Sequence, residues 1–228
     1  MKTRFFKTLM LAAIFITVGS CDLDDGDNYY PNPDVAYGVI ANASPDSDDL
    51  FFYADSNNIN SSPLNYTDAA GYSNFYTGDR TFSIEDGEGH QLATVEKTIA
   101  RGEFISIFAV NNVADIELVV YDDMLENPAL NHAMVRFINL SPDAPAIDIN
   151  SDEEIFAEGL EFKQATDFIE IEGGTYTITY TDPADATLYT DTDVTFHSGR
   201  IYTIYTKGYV TPPVGSDDTF STKRMTNY

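Results

Sequence analysis

Beyond residue 34 the chain sets apolar against polar positions in short runs, and Pro, Gly and Asp break those runs at regular spacing. Alternation over about four to eight residues belongs to a half-buried strand, because successive strand side chains point to opposite faces. The sharpest case is residues 133–149, AMVRFINLSPDAPAIDI. Val135, Phe137 and Leu140 bracket weaker positions until Ser141-Pro142-Asp143 intervenes. Pro142 fixes φ and has no N–H, so the strand cannot simply continue. Asp143 is suited to folding its carboxylate back onto nearby backbone N–H groups, and Pro145 pushes Ala144 towards extended geometry. Ile147 and Ile149 then restart the alternation on one face. The pattern predicts strand, Pro-bearing turn, strand.

The same pattern recurs in weaker form at residues 36–52, AYGVIANASPDSDDLFF, at an offset of 97 residues. Asn42 matches Asn139, and Ser44-Pro45-Asp46 matches Ser141-Pro142-Asp143. Asp48 stands where the second copy has Pro145, which leaves the first turn less constrained. Gly78 matches Gly174, Leu92 matches Leu188 and Gly102 matches Gly199, so the duplication extends along the chain. The remaining runs predict strands near 36–41, 50–53, 72–76, 81–85, 92–99, 103–110 and 116–121. In the second copy they fall near 134–139, 147–150, 167–171, 175–181, 187–196, 201–207 and 219–226. Seven short strands with turn signals between them read as a β-sandwich. The expected organisation is therefore all-β, with one sandwich at 35–123, a linker at 124–130 and a second at 131–228. The linker region 122–131, DDMLENPALN, has room for a turn of helix. Phe104 to Phe108 and Ile201 to Tyr205 are apolar on both faces, which predicts central strands or strands covered by the neighbouring domain.

The 133–149 stretch resembles a bacterial cell-envelope family marked by an SPDAPAVDV-type strand–turn–strand, often in tandem. The match runs through Ser141-Pro142-Asp143-Ala144-Pro145-Ala146, with Ile147 and Ile149 as conservative departures. It extends to Gly173-Gly174-Thr175-Tyr176-Thr177, which resembles the family's "GTYT" hairpin, and to Gly199-Arg200-Ile201-Tyr202-Thr203. The resemblance implies two tandem immunoglobulin-like β-sandwich domains over most of the mature chain. It supplies no activity and no catalytic residues, the family being a domain of unknown function. In such a fold Tyr202 is placed to make a tyrosine-corner bond to the preceding turn.

The first residues belong to targeting rather than fold. Lys2, Arg4 and Lys7 precede a run of ten mostly apolar residues from Leu9 to Val18, too short to span a bilayer. Val18-Gly19-Ser20-Cys21 resembles a lipobox, which makes residues 1–20 a lipoprotein signal peptide and Cys21 the lipid anchor and first mature residue. Cys21 is the one cysteine in the sequence, so no intramolecular disulfide supports the fold. Residues 21–34 form an acidic tether with no apolar period. Its acids resemble the surface-export signal of Bacteroidetes-type lipoproteins. Asp directly after the Cys also resembles an inner-membrane retention signal, so outer-membrane and inner-membrane placements both stay open, the first favoured by Asp24, Asp25 and Asp27. Removing the signal takes away three of the 12 Lys+Arg and none of the 37 Asp+Glu, and the net charge deepens from −25 to −28. Such a chain is repelled by nucleic acid and by anionic headgroups. The membrane contact expected is through lipid alone, and the partner expected is an envelope protein or a glycan.

No catalytic set, cofactor motif or metal set stands out. His90, His132 and His197 lie in different segments without metal-ligand spacing. Ser44 and Ser141 lie in turns and outside any G-x-S-x-G elbow. Asp182, Asp185, Asp191 and Asp193, and separately Asp46, Asp48 and Asp49, cluster in loops as calcium ligands do, yet without EF-hand spacing. Solvated loop acids explain them as well. Two functions remain. One is a non-catalytic binding, adhesion or scaffolding module, with contacts expected at the SPD turns and around 57–64 and 153–160. The alternative is an envelope-anchored hydrolase using carboxylates in the interdomain cleft. Cys21→Ser is expected to leave an uncleaved or soluble protein. Carbonate-washed membranes and mass spectrometry of the N-terminus check this: a variant that stays in the membrane, together with a wild type free of acyl chains, contradicts the lipoprotein reading.

Overall fold

The computed structural model describes residues 34–152 and 154–227. Cys21 and the expected signal peptide, and all of the tether but Asp34, lie outside them. The first copy contains β1 (Val35–Asn42), β2 (Phe51–Ala54), β3 (Asn57–Asn58), β4 (Ala69–Tyr76), β5 (Gly78–Glu85), β6 (Gln91–Ile99), β7 (Phe104–Val110) and β8 (Glu117–Asp122). The second contains β9 (His132–Asn139), β10 (Ile147–Ser151), β11 (Ile155–Leu160), β12 (Ile169–Glu172), β13 (Gly174–Thr181), β14 (Thr187–Phe196), β15 (Ile201–Lys207) and β16 (Ser221–Thr226). Four sheets result, with orders β4-β1-β7-β8 and β3-β2-β5-β6 in the first half and β12-β9-β15-β16 and β11-β10-β13-β14 in the second. Strand for strand the two orders are the same. The pairings β1–β7 and β9–β15 are parallel and the other strand pairs are antiparallel.

Each half holds one strand more than the apolar pattern predicts. β3 is a pair of asparagines with no apolar alternation to betray it. β11 carries Gly159 at φ +64° and pairs with β10 through two register shifts, so its sequence does not keep the period of a strand. The segments expected as loops at 57–64 and 153–160 thus contain the edge strands of two sheets. The helical turn expected in the linker is absent, since residues 123–129 have no regular structure. A short 3₁₀ turn occurs instead at Val113–Asp115, where the Asn112 side chain accepts from the N–H groups of Ala114 and Asp115.

Each pair of sheets encloses a core. Ile105, Ile107 and Ala109 of β7 enter the first, beside Ile40, Phe52, Phe82 and Ile84. Val135 and Phe137 of β9 enter the second, beside Ile147, Ile149, Ile178 and Ile204. The opposite faces of the same strands build a third cluster across the two halves: Ala41, Ala43, Phe108 and Val110 meet Ile138, Leu140 and Tyr205. Phe108 and Tyr205 touch edge to face, with ring centroids 5.3 Å apart. The β1–β7 and β9–β15 sheets therefore pack on one another and are covered on both sides, which accounts for the strands apolar on both faces.

Along the same junction, apolar packing gives way to a buried polar network. Arg136 of β9 lies 2.7 Å from the carboxylate of Asp123, and their side chains are 3% and 0% exposed. Asp123 also accepts from the Ser106 hydroxyl at 2.7 Å and from the Tyr72 phenol at 2.6 Å. Arg136 donates to the Asp122 carbonyl at 3.2 Å and to the Thr203 hydroxyl at 3.1 Å, and its guanidinium lies 4.6 Å from the Phe168 ring centroid. Thr203 donates to Asn227, and Asn227 donates to Tyr72, which closes the circuit. Burial first, then the neighbouring Asp123 carboxylate, holds the Tyr72 phenol well above its ordinary pKa, so it remains a donor. Replacing one member of a buried ion pair leaves an uncompensated charge and costs about 3–5 kcal/mol. Arg136→Met is expected to lower unfolding stability by about that amount in urea melts, and Arg136→Met with Asp123→Leu to recover part of it. A loss under about 1 kcal/mol for the single variant, the range of an exposed pair, contradicts this reading of the junction.

Candidate functional site

The two SPD turns are braces. In the first, the Asn42 amide donates to the Leu64 carbonyl at 3.2 Å and its oxygen accepts from the Ser44 N–H at 3.0 Å. In the second, the Asn139 amide donates to Leu160 at 3.0 Å and its oxygen accepts from the Ser141 N–H at 3.2 Å. The Ser44 hydroxyl donates to the Asn111 carbonyl at 2.7 Å, and the Ser141 hydroxyl to the Gly208 carbonyl at 2.6 Å. Those two carbonyls belong to residues with φ of +71° and +72°. At Gly208 a Cβ would clash with the Thr219 carbonyl oxygen, so only glycine fits. Asp143 accepts from the N–H groups of Val210 and Thr211, and Asp218 accepts from the Asp46 N–H at 2.9 Å, tying the second half's loop to the first half's turn. The motif's side chains are thus engaged by the fold, and the contact surface expected at these turns loses the polar groups it would use. Asn57 and Asn58 also lie at the opposite end of the sandwich, paired with Ala54 and Tyr53.

The junction cleft, about 410 Å³, is lined by Asp122, Glu126, Asp167, Phe168, Tyr121 and Arg136, among others. Asp122 is paired with Lys97, and Asp123 beside it is buried in the network, so two of the junction's carboxylates are already neutralised. Glu126 and Asp167 line the cleft.

The histidines stay apart. His132 contacts the Leu130 carbonyl through Nδ1 at 2.9 Å. The backbone N–H of His197 donates to the Tyr202 phenol at 3.1 Å, the tyrosine-corner contact. His90 lies 3.0 Å from Asp86 and 3.6 Å from Glu88. Among the described residues Asp86, Glu88 and His90 form the one group able to offer three ligand atoms within 4.8 Å of each other. The Asp86 carboxylate is also the acceptor that shapes this hairpin, taking the N–H groups of Glu88 and His90. The His90 N–H holds its pKa below the ordinary carboxylate range. Of the acids considered for calcium, Asp182 accepts from the N–H groups of Ala184 and Ala186, and Asp191 accepts from the Thr222 hydroxyl.

A different arrangement occupies the gap between the edge strands β3 and β4. There a cleft of about 260 Å³ is lined by Asn57, Asn58, Asn74, Tyr76, Asp55 and Arg80, among others. Arg80 lies 2.6 Å from Asp55, whose other oxygen accepts from the Thr81 N–H at 3.1 Å. That N–H first, then Arg80, lowers the Asp55 pKa. Tyr76 is 71% exposed. The side-chain amides of the three asparagines make no hydrogen bond within the described residues. The sequence signal for this cleft was slight: a polar run, Asn57-Asn58, without the apolar neighbours that mark a strand.

The profile of a family described as a domain of unknown function, DUF4397, matches residues 36–150 and 133–224. The chain belongs to this family. No curated protein matches it. Among solved structures, one described as alpha-glucan binding by a streptococcal virulence factor shares 15% identity over 75% of this chain and 92% of that one, with a TM-score of 0.22. Another, described as a "putative cell adhesion protein" from Bacteroides eggerthii, shares 9% identity over 85% and 95%, with a TM-score of 0.18. Likenesses at this level carry no argument about the DUF4397 chain. The geometry itself divides it into a junction whose inner charges are paired and an edge cleft whose asparagine amides make no hydrogen bond among the described residues.

Proposed function

We propose that this DUF4397 chain is a non-catalytic cell-envelope lipoprotein that works as a binding or adhesion module, with the edge cleft of the first sandwich as its contact site. The observation that carries this reading is the contrast in hydrogen bonding. The buried hydroxyls of Ser44, Ser106, Ser141, Thr203 and Thr206 are tied to carbonyls, carboxylates or amides of the fold. A nucleophile needs a base within hydrogen-bond reach and a site beside both for the reacting atom. The free amides of the edge cleft have capacity for a ligand and none for chemistry. Cys21 anchors the chain to the outer membrane in this reading, with the domains facing outward or into the periplasm; retention at the inner membrane is the alternative address. The strongly negative charge favours an envelope protein or a glycan as partner and disfavours nucleic acid and anionic lipid surfaces.

One observation favours a second reading: Glu126 and Asp167 line the same junction cleft, as a hydrolase with paired carboxylates would require. The full chain offered envelope material and chromogenic glycoside, ester and peptide substrates is expected to bind the first saturably and to turn over none of the others. Reproducible turnover abolished by Glu126→Gln or Asp167→Asn overturns the binding reading in favour of the hydrolase.

A further inference from the structure

We infer that the edge cleft of the first sandwich is a subsite for a neutral, hydroxyl-rich ligand, one ring of a saccharide chain that lies against Tyr76 and hydrogen-bonds to Asn57, Asn58 and Asn74. The inference rests on the reading of the chain as a binding module and names the ligand class of that site.

Charge excludes two alternatives. Asp55 and Arg80 neutralise each other at 2.6 Å, so a cation finds the cleft's carboxylate already engaged. An anion must approach a chain of net charge −25 and would find the cleft's arginine paired. Hydrogen bonding excludes a third. Each side-chain amide carries two donors and an acceptor, and an apolar ligand would strip them of water without replacing it. A hydroxyl both donates and accepts, so a ring with several hydroxyls satisfies amides of either orientation. Tyr76 adds an exposed ring, an apolar face with a polar tip, beside those amides. The volume of about 260 Å³ lies below the range of about 300–1,000 Å³ for drug-sized ligands, which suits one ring of a longer chain.

The second sandwich supplies an internal comparison. A cleft of about 260 Å³ is also found there, lined by Asp152, Glu172 and Tyr176 among others. Strand pairing sets Glu172 opposite His132 where Tyr76 stands opposite Val35, and Ile155 opposite Asn150 where Asn58 stands opposite Tyr53. The two clefts overlap in part, at Asp55 and Asp152 and at Tyr76 and Glu172, and the first copy alone adds neutral amides and an exposed tyrosine.

The test is calorimetric titration of the full chain with maltohexaose, cellohexaose and chitohexaose, and with a hyaluronan hexasaccharide and hexalysine as charged probes. At least one neutral oligosaccharide is expected to bind with Kd on the order of 1 mM, a value in keeping with one shallow subsite. Tyr76→Ala, and separately Asn57→Ala with Asn58→Ala, are expected to weaken it about tenfold or more, while Tyr76→Phe keeps it. Glu172→Ala, in the equivalent cleft, is expected to leave it within about twofold. These positions lie at the sheet edges, and unchanged urea melts separate a lost site from a lost fold. No neutral binding up to about 20 mM, preference for a charged probe, or binding indifferent to both cleft variants overturns the inference. In those cases saturable binding to envelope material leaves the module reading standing. Cleavage of an oligosaccharide, seen as shortened products, overturns both.

Discussion

The ion pair between Arg136 and Asp123 fixes how the two sandwiches meet. It lies where a sheet of each half is covered by a sheet of the other, with Asp123 fully buried and Arg136 almost so. A buried charge tolerates little displacement, because the alternative to its partner is an unsolvated ion. Ser106, Thr203, Tyr72 and the Asp122 carbonyl hydrogen-bond to the pair and Asn227 bridges Thr203 and Tyr72, with the buried Arg136 Nε left without a partner among the described residues, so the pair sets register and orientation. The apolar cluster around Phe108, Leu140 and Tyr205 supplies the area, and the network supplies the specificity.

The network is built from equivalent positions of the two copies. Ser106 corresponds to Thr203 and Asp123 to Asn227, following the pairing of β7 with β8 and of β15 with β16. Tyr72 corresponds to Phe168 by the pairing of β1 with β4 and of β9 with β12. One face therefore meets its own duplicate, as in an isologous dimer interface. The symmetry is broken at the centre, where Arg136 replaces Val39 and Asp123 replaces an asparagine. A single cation and a single anion then face each other where two neutral faces would otherwise meet. The edge clefts show the same divergence at the periphery, with amides and Tyr76 in one copy and acids in the other.

Much of the fold was legible because its signals are local. The 97-residue offset, the Pro-Asp turns and the matched glycines all report backbone geometry that depends on a few adjacent residues. Gly102 and Gly199 do sit at positive φ, and their N–H groups donate to Val35 and His132, equivalent carbonyls. The apolar faces of Phe104 to Phe108 and Ile201 to Tyr205 announced a covering layer. What the sequence concealed is what depends on long-range pairing. Arg136 reads as a polar position in an alternating strand, and nothing nearby reveals that its partner is 13 residues upstream, across a linker. β3 is too short and polar to carry a period, so the cleft it borders was invisible. The SPD turns read both as turn formers and as a contact surface, because Ser, Asp and Asn serve in either role. Only their partners, the carbonyls of Asn111 and Gly208 and the N–H groups of Val210 and Thr211, show them to be structural.

If the buried pair holds the halves together, the two sandwiches cannot reorient independently. The most direct measurement is backbone ¹⁵N relaxation of the full chain, compared between strands of the first and second sandwiches. One shared rotational diffusion tensor is expected, with β2 and β5 tumbling as slowly as β10 and β13. Two distinct, faster correlation times, as for beads on a flexible string, would contradict it.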